Sequence, residues 1–143
     1  MKWDALKDLS FSAAVYQLDR SNVAITDPTD STKTILVDGQ RSKGVELSLT
    51  GNLTPAWSVT GAYAYQDAKI TRTQSATVLA GAQLANVPKQ SASVWNRYDV
   101  NAQWGLGLGV IYRGEIYPST DNTVILPSFT RVDAAAFYNV STK

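Results

Sequence analysis

The chain has 143 residues, 44% hydrophobic and 17% charged, with a formal net charge of +1, no cysteine and no histidine. Thiol nucleophiles, disulfide frameworks, imidazole bases and the common zinc and haem ligand sets are thereby excluded, and no metal site is expected. Thirteen basic and twelve acidic residues are interspersed, so no electrostatic footprint for nucleic acid is visible.

Period-two patterning, the mark of a strand with two unlike faces, runs through the chain. The first predicted strand is Leu9 to Arg20, where the apolar phase changes near Val15-Tyr16, and a long connection, Ser21 to Gln40, follows. In Gly44 to Thr50, Val45, Leu47 and Leu49 oppose Glu46, Ser48 and Thr50. The turn Asn52 to Ala56 leads into Trp57 to Gln66, with Trp57, Val59, Tyr63 and Tyr65 against Ser58, Thr60 and Gln66. After the long segment Thr71 to Gln90, Ser91 to Val100 sets Ala92, Val94 and Tyr98 against Ser93, Trp95, Arg97 and Asp99. The turn Asn101 to Trp104 precedes Gly105 to Arg113, with Leu106, Leu108, Val110 and Tyr112 against three glycines, Ile111 and Arg113. Beyond the loop Tyr117 to Pro127, Val132, Ala134, Ala136 and Tyr138 oppose Arg131, Asp133, Ala135, Phe137 and Asn139.

Six strands are therefore predicted, and long and short connections alternate strictly between them. In an up-and-down antiparallel sheet this gathers the long loops at one edge and the tight turns at the other, as in outer-membrane barrels. The polar face carries Glu46, Arg97, Asp99, Arg113, Glu115, Arg131 and Asp133 at mid-strand positions, as a wet lumen would, while Trp57, Tyr65 and Tyr112 lie near strand ends of the apolar face, where interfacial girdles sit. No run of about 20 apolar residues can form a spanning helix: the longest uncharged stretch, Leu47 to Gln66, contains Gly51, Asn52 and Pro55. Met1-Lys2-Trp3-Asp4 carries charge where a signal peptide has its apolar core, so a cytoplasmic protein or an internal piece of a longer one is expected.

The segment Arg41-Ser42-Lys43-Gly44-Val45-Glu46-Leu47-Ser48-Leu49-Thr50-Gly51-Asn52-Leu53-Thr54-Pro55-Ala56-Trp57, with Gly61-Ala62-Tyr63-Ala64-Tyr65 after it, resembles the barrel of TonB-dependent siderophore receptors. Asn86-Val87-Pro88-Lys89, Ser93-Val94-Trp95, Gly107 to Glu115 and Phe129 to Ala134 extend the likeness, which is strongest to the catecholate and ferrichrome-type branches. The resemblance implies an all-β chain: an antiparallel transmembrane segment of about six strands, late in a 22-stranded barrel and unclosed, since even the smallest barrels use about eight. It implies residues 1–143 as a partial barrel domain without plug, energy-coupling box or terminal hairpin. It also implies a bacterial outer-membrane location, a ferric siderophore as transported ligand rather than cofactor, and coupling to TonB through a missing plug.

Such a receptor needs no catalytic group, only a polar, aromatic and cationic cavity, because ferric siderophores are frequently anionic and carry flat groups. With strands rising into the long loops, Trp95, Arg97, Arg113, Glu115, Phe129 and Arg131 face inward near the external rim, and Tyr117 reaches in from its loop. The competing expectation pairs Arg97, Arg113 and Arg131 with Asp99, Glu115 and Asp133 across neighbouring strands as lumen-wall ion pairs. On the outer face Arg41, Lys43 and Lys69 stand just above the apolar band, where lipopolysaccharide phosphates would attract them, if they are not merely solvated strand ends. Gly105-Leu106-Gly107-Leu108-Gly109 imitates part of a dinucleotide fingerprint inside a strand; its glycines leave room for a plug or a crossing side chain. Thr77 to Leu84 could form a short helix, Asp27-Pro28-Thr29-Asp30 and Asp121-Asn122 are turn tips with weak potential for Ca²⁺, and the sequons at Asn52 and Asn139 carry no weight. A passive porin and a soluble lipocalin-like barrel holding a small apolar ligand are the alternative functions, and an enzyme is not expected.

Overall fold

The computed structural model describes residues 2–6, 8–27, 30, 32–37 and 39–140. Nine strands follow in order: β1 (Lys2–Leu6), β2 (Leu9–Arg20), β3 (Val23–Thr26), β4 (Thr34–Val37), β5 (Gln40–Thr54), β6 (Trp57–Ile70), β7 (Gln90–Asp99), β8 (Trp104–Arg113) and β9 (Phe129–Tyr138). Seven form one sheet in the order β1-β2-β5-β6-β7-β8-β9, every neighbouring pair antiparallel, while β3 and β4 make a separate hairpin within the first long connection. The sheet does not close among the described residues, because β1 and β9 each have a single neighbour.

The alternation read from the sequence carries across the whole ladder. Val15, Val45 and Tyr65 are mutual partners, as are Val94, Val110 and Val132, so their side chains share one face. That face is bare: Val15 is 81% exposed and Val132 64%, and the buried hydrophobic residues among those described are Val59, Ala68 and Ile70 alone. A soluble domain does not leave a contiguous apolar surface of this extent uncovered, and among the described residues no core lies behind the sheet.

Three features differ from the sequence-based expectation. The sheet carries a seventh strand, β1, joined to β2 by a short turn. The first long connection is partly a hairpin, with Ala24 opposite Leu36. Residues 77–84 form turns and bends rather than a helix. Their end is drawn instead into strand-like pairing with the projecting top of β6, where the Ile70 amide donates to Ala82 O at 2.8 Å, Gly81 N donates to Ile70 O at 2.8 Å and Leu84 N to Ala68 O at 3.0 Å. This pairing covers Ala68 and Ile70 and satisfies backbone groups that a helix over 77–84 would have left orphaned on β6.

Candidate functional site: the polar face and its loop-side rim

The polar face is stitched together by short side chains facing one another across strands. Ser12 and Ser48 hydroxyls lie 2.7 Å apart, Thr50 and Thr60 3.2 Å apart, and Gln66 Nε2 donates to Ser42 Oγ at 2.9 Å. Near the long-loop edge an open cavity of about 1040 Å³ is lined by Glu46, Ser48, Ser91, Ser93, Arg113 and Phe129, among others. Arg113 and Phe129 are direct partners across β8 and β9, so a cation and an aromatic ring stand side by side on its wall.

The other predicted residues are spread over the height of the sheet. Arg131 lies opposite Ile111, one inward step below Arg113, and donates to Asp133 at 3.0 Å. Trp95 sits at mid-strand, opposite Gly109, with its ring laid across the glycine stripe. A Cβ on Gly107 would come within 2.6 Å of Trp95 Cζ2, and one on Gly109 would overlap Cε3 of the same ring. The glycines thus make room for a crossing side chain, and that side chain is Trp95. Glu115 and Tyr117 lie beyond the end of β8, in the loop.

Arg97 is a correction. Its partner is Gly107 and it stands two residues from the short turn after β7, so it is at the opposite end of the sheet from the long loops. There it donates to Asp99 Oδ1 at 3.0 Å, with its guanidinium 4.6 Å from the centre of the Phe137 ring. The expected ion pairs also form differently. Arg97–Asp99 and Arg131–Asp133 run along one strand at i, i+2 rather than across strands, because residues two apart share a face. Arg113 makes no such pair with Glu115; its Nη2 donates to the carbonyl of Asn86 at 3.3 Å.

On the apolar face the aromatic residues form two levels. Trp57 pairs with Tyr98, and Trp104 with Tyr138, whose ring centres are 4.7 Å apart, at the short-turn end; Tyr63, Tyr65 and Tyr112 lie toward the long loops. Eight residues separate Trp57 from Tyr65, about 27 Å along the strand and roughly 20 Å along the normal at a tilt near 40°, close to the apolar band of a membrane barrel. Asn96 is a polar side chain within this face, opposite Val59, and the Trp57 indole N–H donates to its Oδ1 at 3.2 Å. Above Tyr65 the face turns ionic: Lys43 opposes Asp67 and Arg41 opposes Lys69. Arg41 is bridged to Asp19 at 2.5 Å and Lys69 to Asp67 at 3.0 Å, which leaves Lys43 as the cation of this set without an acid within bridging distance among the described residues.

The residues that sequence reasoning missed are in the loops. Asn86 and Asn122 have positive φ of 62° and 54°, and each ties the loop after β6 to the loop after β8. An asparagine in a long polar connection carries no signal of such a contact, since its partner is a backbone group far away in sequence.

A family model described as TonB dependent receptor-like, beta-barrel matches residues 1–143. The probable TonB-dependent siderophore receptor PiuA of Acinetobacter baumannii is 33% identical over 151 residues, covering 98% of this chain and 20% of its own. The catecholate siderophore receptor Fiu of Escherichia coli K12 is 30% identical over 145 residues, covering 98% and 19%. The crystal structure of PiuA from A. baumannii superposes with a TM-score of 0.84 at 33% identity, over 99% of this chain and 21% of that one. The chain therefore spans about a fifth of the length of the curated relatives it matches.

Proposed function

Because the chain belongs to the TonB-dependent receptor β-barrel family, we propose that it forms part of the wall of an outer-membrane receptor that takes up ferric siderophores with energy supplied through TonB. The apolar face between the two aromatic levels meets lipid, and the polar face lines the lumen. The plug and the energy-coupling segment belong to parts of the receptor outside residues 1–143. The observation that carries the ligand reading is the cavity at the loop-side rim, where Arg113 and Phe129 stand as direct partners beside Ser91 and Ser93. A guanidinium next to an aromatic ring suits an anionic complex with flat groups.

Arg113, Phe129 and Arg131 are the ligand-facing set, with Tyr117 above them and Trp95 below as an aromatic shelf. Glu115 lies at the loop base, and Arg97 contributes to the lower wall rather than to the rim. The soluble lipocalin-like alternative needs an apolar interior, whereas the apolar face here is the uncovered one. A passive porin is separated by energy dependence: uptake through the intact protein stops when TonB is removed, whereas a porin would continue. The direct test is ferric-ligand binding by the intact receptor, using a panel of ferric catecholates and hydroxamates. Alanine at Arg113 or Arg131 is expected to weaken binding about tenfold, the loss of one charged hydrogen bond, and unchanged affinity for every complex bound removes that residue from the site.

On the outer face, lipopolysaccharide phosphates engage Arg41, Lys43 and Lys69 just above the lipid band. This is supported by their shared height above Tyr65 and by the attraction of basic side chains to anionic headgroups.

A further inference from the structure

Residues 82–84 act as a short added strand on β6, using Ala82 O and Leu84 N for that pairing. In such a strand the N–H and C=O of the residue between point the other way, toward an edge with no strand beside it. Both groups of Gln83 are met by one side chain from the other loop. Gln83 N donates to Asn122 Oδ1 at 2.7 Å, and Asn122 Nδ2 donates to Gln83 O at 3.0 Å and to Ser119 O at 3.3 Å. A carboxamide carries its carbonyl acceptor and its NH2 donors side by side, so Asn122 meets both groups that a neighbouring strand would have paired and keeps a second N–H for Ser119. Its φ of 54° places it in the left-handed region that asparagine tolerates, and the Asp121 carboxylate, accepting from Thr123 N at 3.2 Å and Thr123 Oγ1 at 3.1 Å, shapes the turn that presents it.

A second tie lies nearer the barrel wall. Asn86 N donates to Tyr117 O at 2.7 Å, and Arg113 Nη2 donates to Asn86 O. The loop after β8 is itself closed at its base by Ile116 and Leu126, which exchange both backbone hydrogen bonds.

We infer that Asn122 is a latch that joins the loops of residues 71–89 and 114–128 into one rigid body, so that this side of the vestibule moves as a unit. Asn122 is a positioning residue: it fixes the loop that carries Tyr117 against the loop above Ser91, and it touches neither through a ligand. The latch rests on backbone pairing and does not depend on which ligand the receptor takes.

Residues 1–143 contain no cysteine, so labels introduced here are the only thiols of this segment, and any thiol elsewhere in the receptor is replaced by serine first. In the intact receptor, nitroxide labels at Ala76→Cys and Val124→Cys report the distance between the two loops, and a pair at Ala56→Cys and Ala102→Cys on two short turns reports an intact wall. Asn122→Gly removes the carboxamide while keeping the positive φ accessible; Asn122→Asp keeps the acceptor and loses the donor. The native receptor is expected to give one narrow loop distance, and both variants a broad distribution with the short-turn pair unchanged. Exchange of the Gln83 amide with deuterated solvent should rise roughly tenfold in Asn122→Gly. A native distribution already as broad as the variants, or a narrow one that neither variant changes, overturns the latch.

Discussion

Trp95 lies flat against Gly109: the two are partners across β7 and β8, and a single methyl group on Gly109 would occupy the space of the indole ring. The same ring covers Gly107, and a Cβ there would also come within 3.1 Å of Phe137. The glycine stripe is therefore a seat for an aromatic side chain on the lumen wall, and the cost of glycine in a strand is offset by this contact. Gly109→Ala is expected to destabilise the refolded receptor by about 1–3 kcal/mol, the usual penalty of overpacking. In the Trp95→Ala background the same change should cost little, and a urea-unfolding double-mutant cycle measures the coupling. Additive effects would mean that the ring does not rest on the glycine.

The Trp57–Asn96 hydrogen bond accounts for an amide set low on the apolar face, opposite Val59. Trp57→Phe keeps an aromatic body at the interface but leaves Asn96 unpaired, and should cost about 1–3 kcal/mol of stability in lipid vesicles. Adding Asn96→Leu removes the stranded group and should recover most of the loss. No recovery would show that Trp57 acts through burial alone.

Among the rim cations Lys43 is the one without a bridging acid in the described structure, while Arg41 and Lys69 are matched by Asp19 and Asp67. Exposed pairs of this kind add little stability, so their effect should appear in binding. Lys43→Glu is expected to reduce lipopolysaccharide retained on purification more than Arg41→Ala or Lys69→Ala does. Equal retention in all three would remove the lipopolysaccharide contact.

The turn that presents Asn122 is expected to respond to acid. Hydrogen bonds from Thr123, first from its backbone N–H, hold the Asp121 carboxyl below its usual range. A carboxyl whose pKa is lower in the folded turn contributes stability above the ordinary carboxylate pKa of about 3.9, and that contribution is lost as pH falls through the lowered value. Loop-to-loop distances should be constant from neutral pH to about 5 and broaden only below about 4. Asp121→Asn, which has no proton to gain, should flatten this dependence.

The faces were legible in the sequence because one residue of alternation decides which side a side chain takes, and in five of the six predicted strands the residues assigned to each face lie on it, although Ser91 to Val100 alternates less strictly, with Asn96 among its apolar positions. The phase change near Val15-Tyr16 also has a structural reason. Val15 stays on the apolar face while Tyr16 turns inward over Gly44, where a Cβ would lie 2.8 Å from its hydroxyl. What depends on register between distant segments was not legible: that Trp95 is the side chain seated on the glycines of β8. The loop latch was hidden for the same reason, because Asn122 finds Gln83 only after β6 and β8 have set the heights of their loops. Arg97 beside its short turn and the i, i+2 ion pairs are local instead, and follow from strand direction and from residues two apart sharing a face.

The placement of the two faces is tested most directly by cysteine scanning in the membrane-embedded receptor, with a fluorophore at each position and a choice of quencher. Leu108, Val110, Val132 and Ala134 should be quenched by spin-labelled lipid and protected from aqueous iodide, while Ile111 and Ala135 show the reverse. Quenching by lipid without a period of two, or iodide reaching all six positions equally, would contradict a sheet that separates bilayer from lumen.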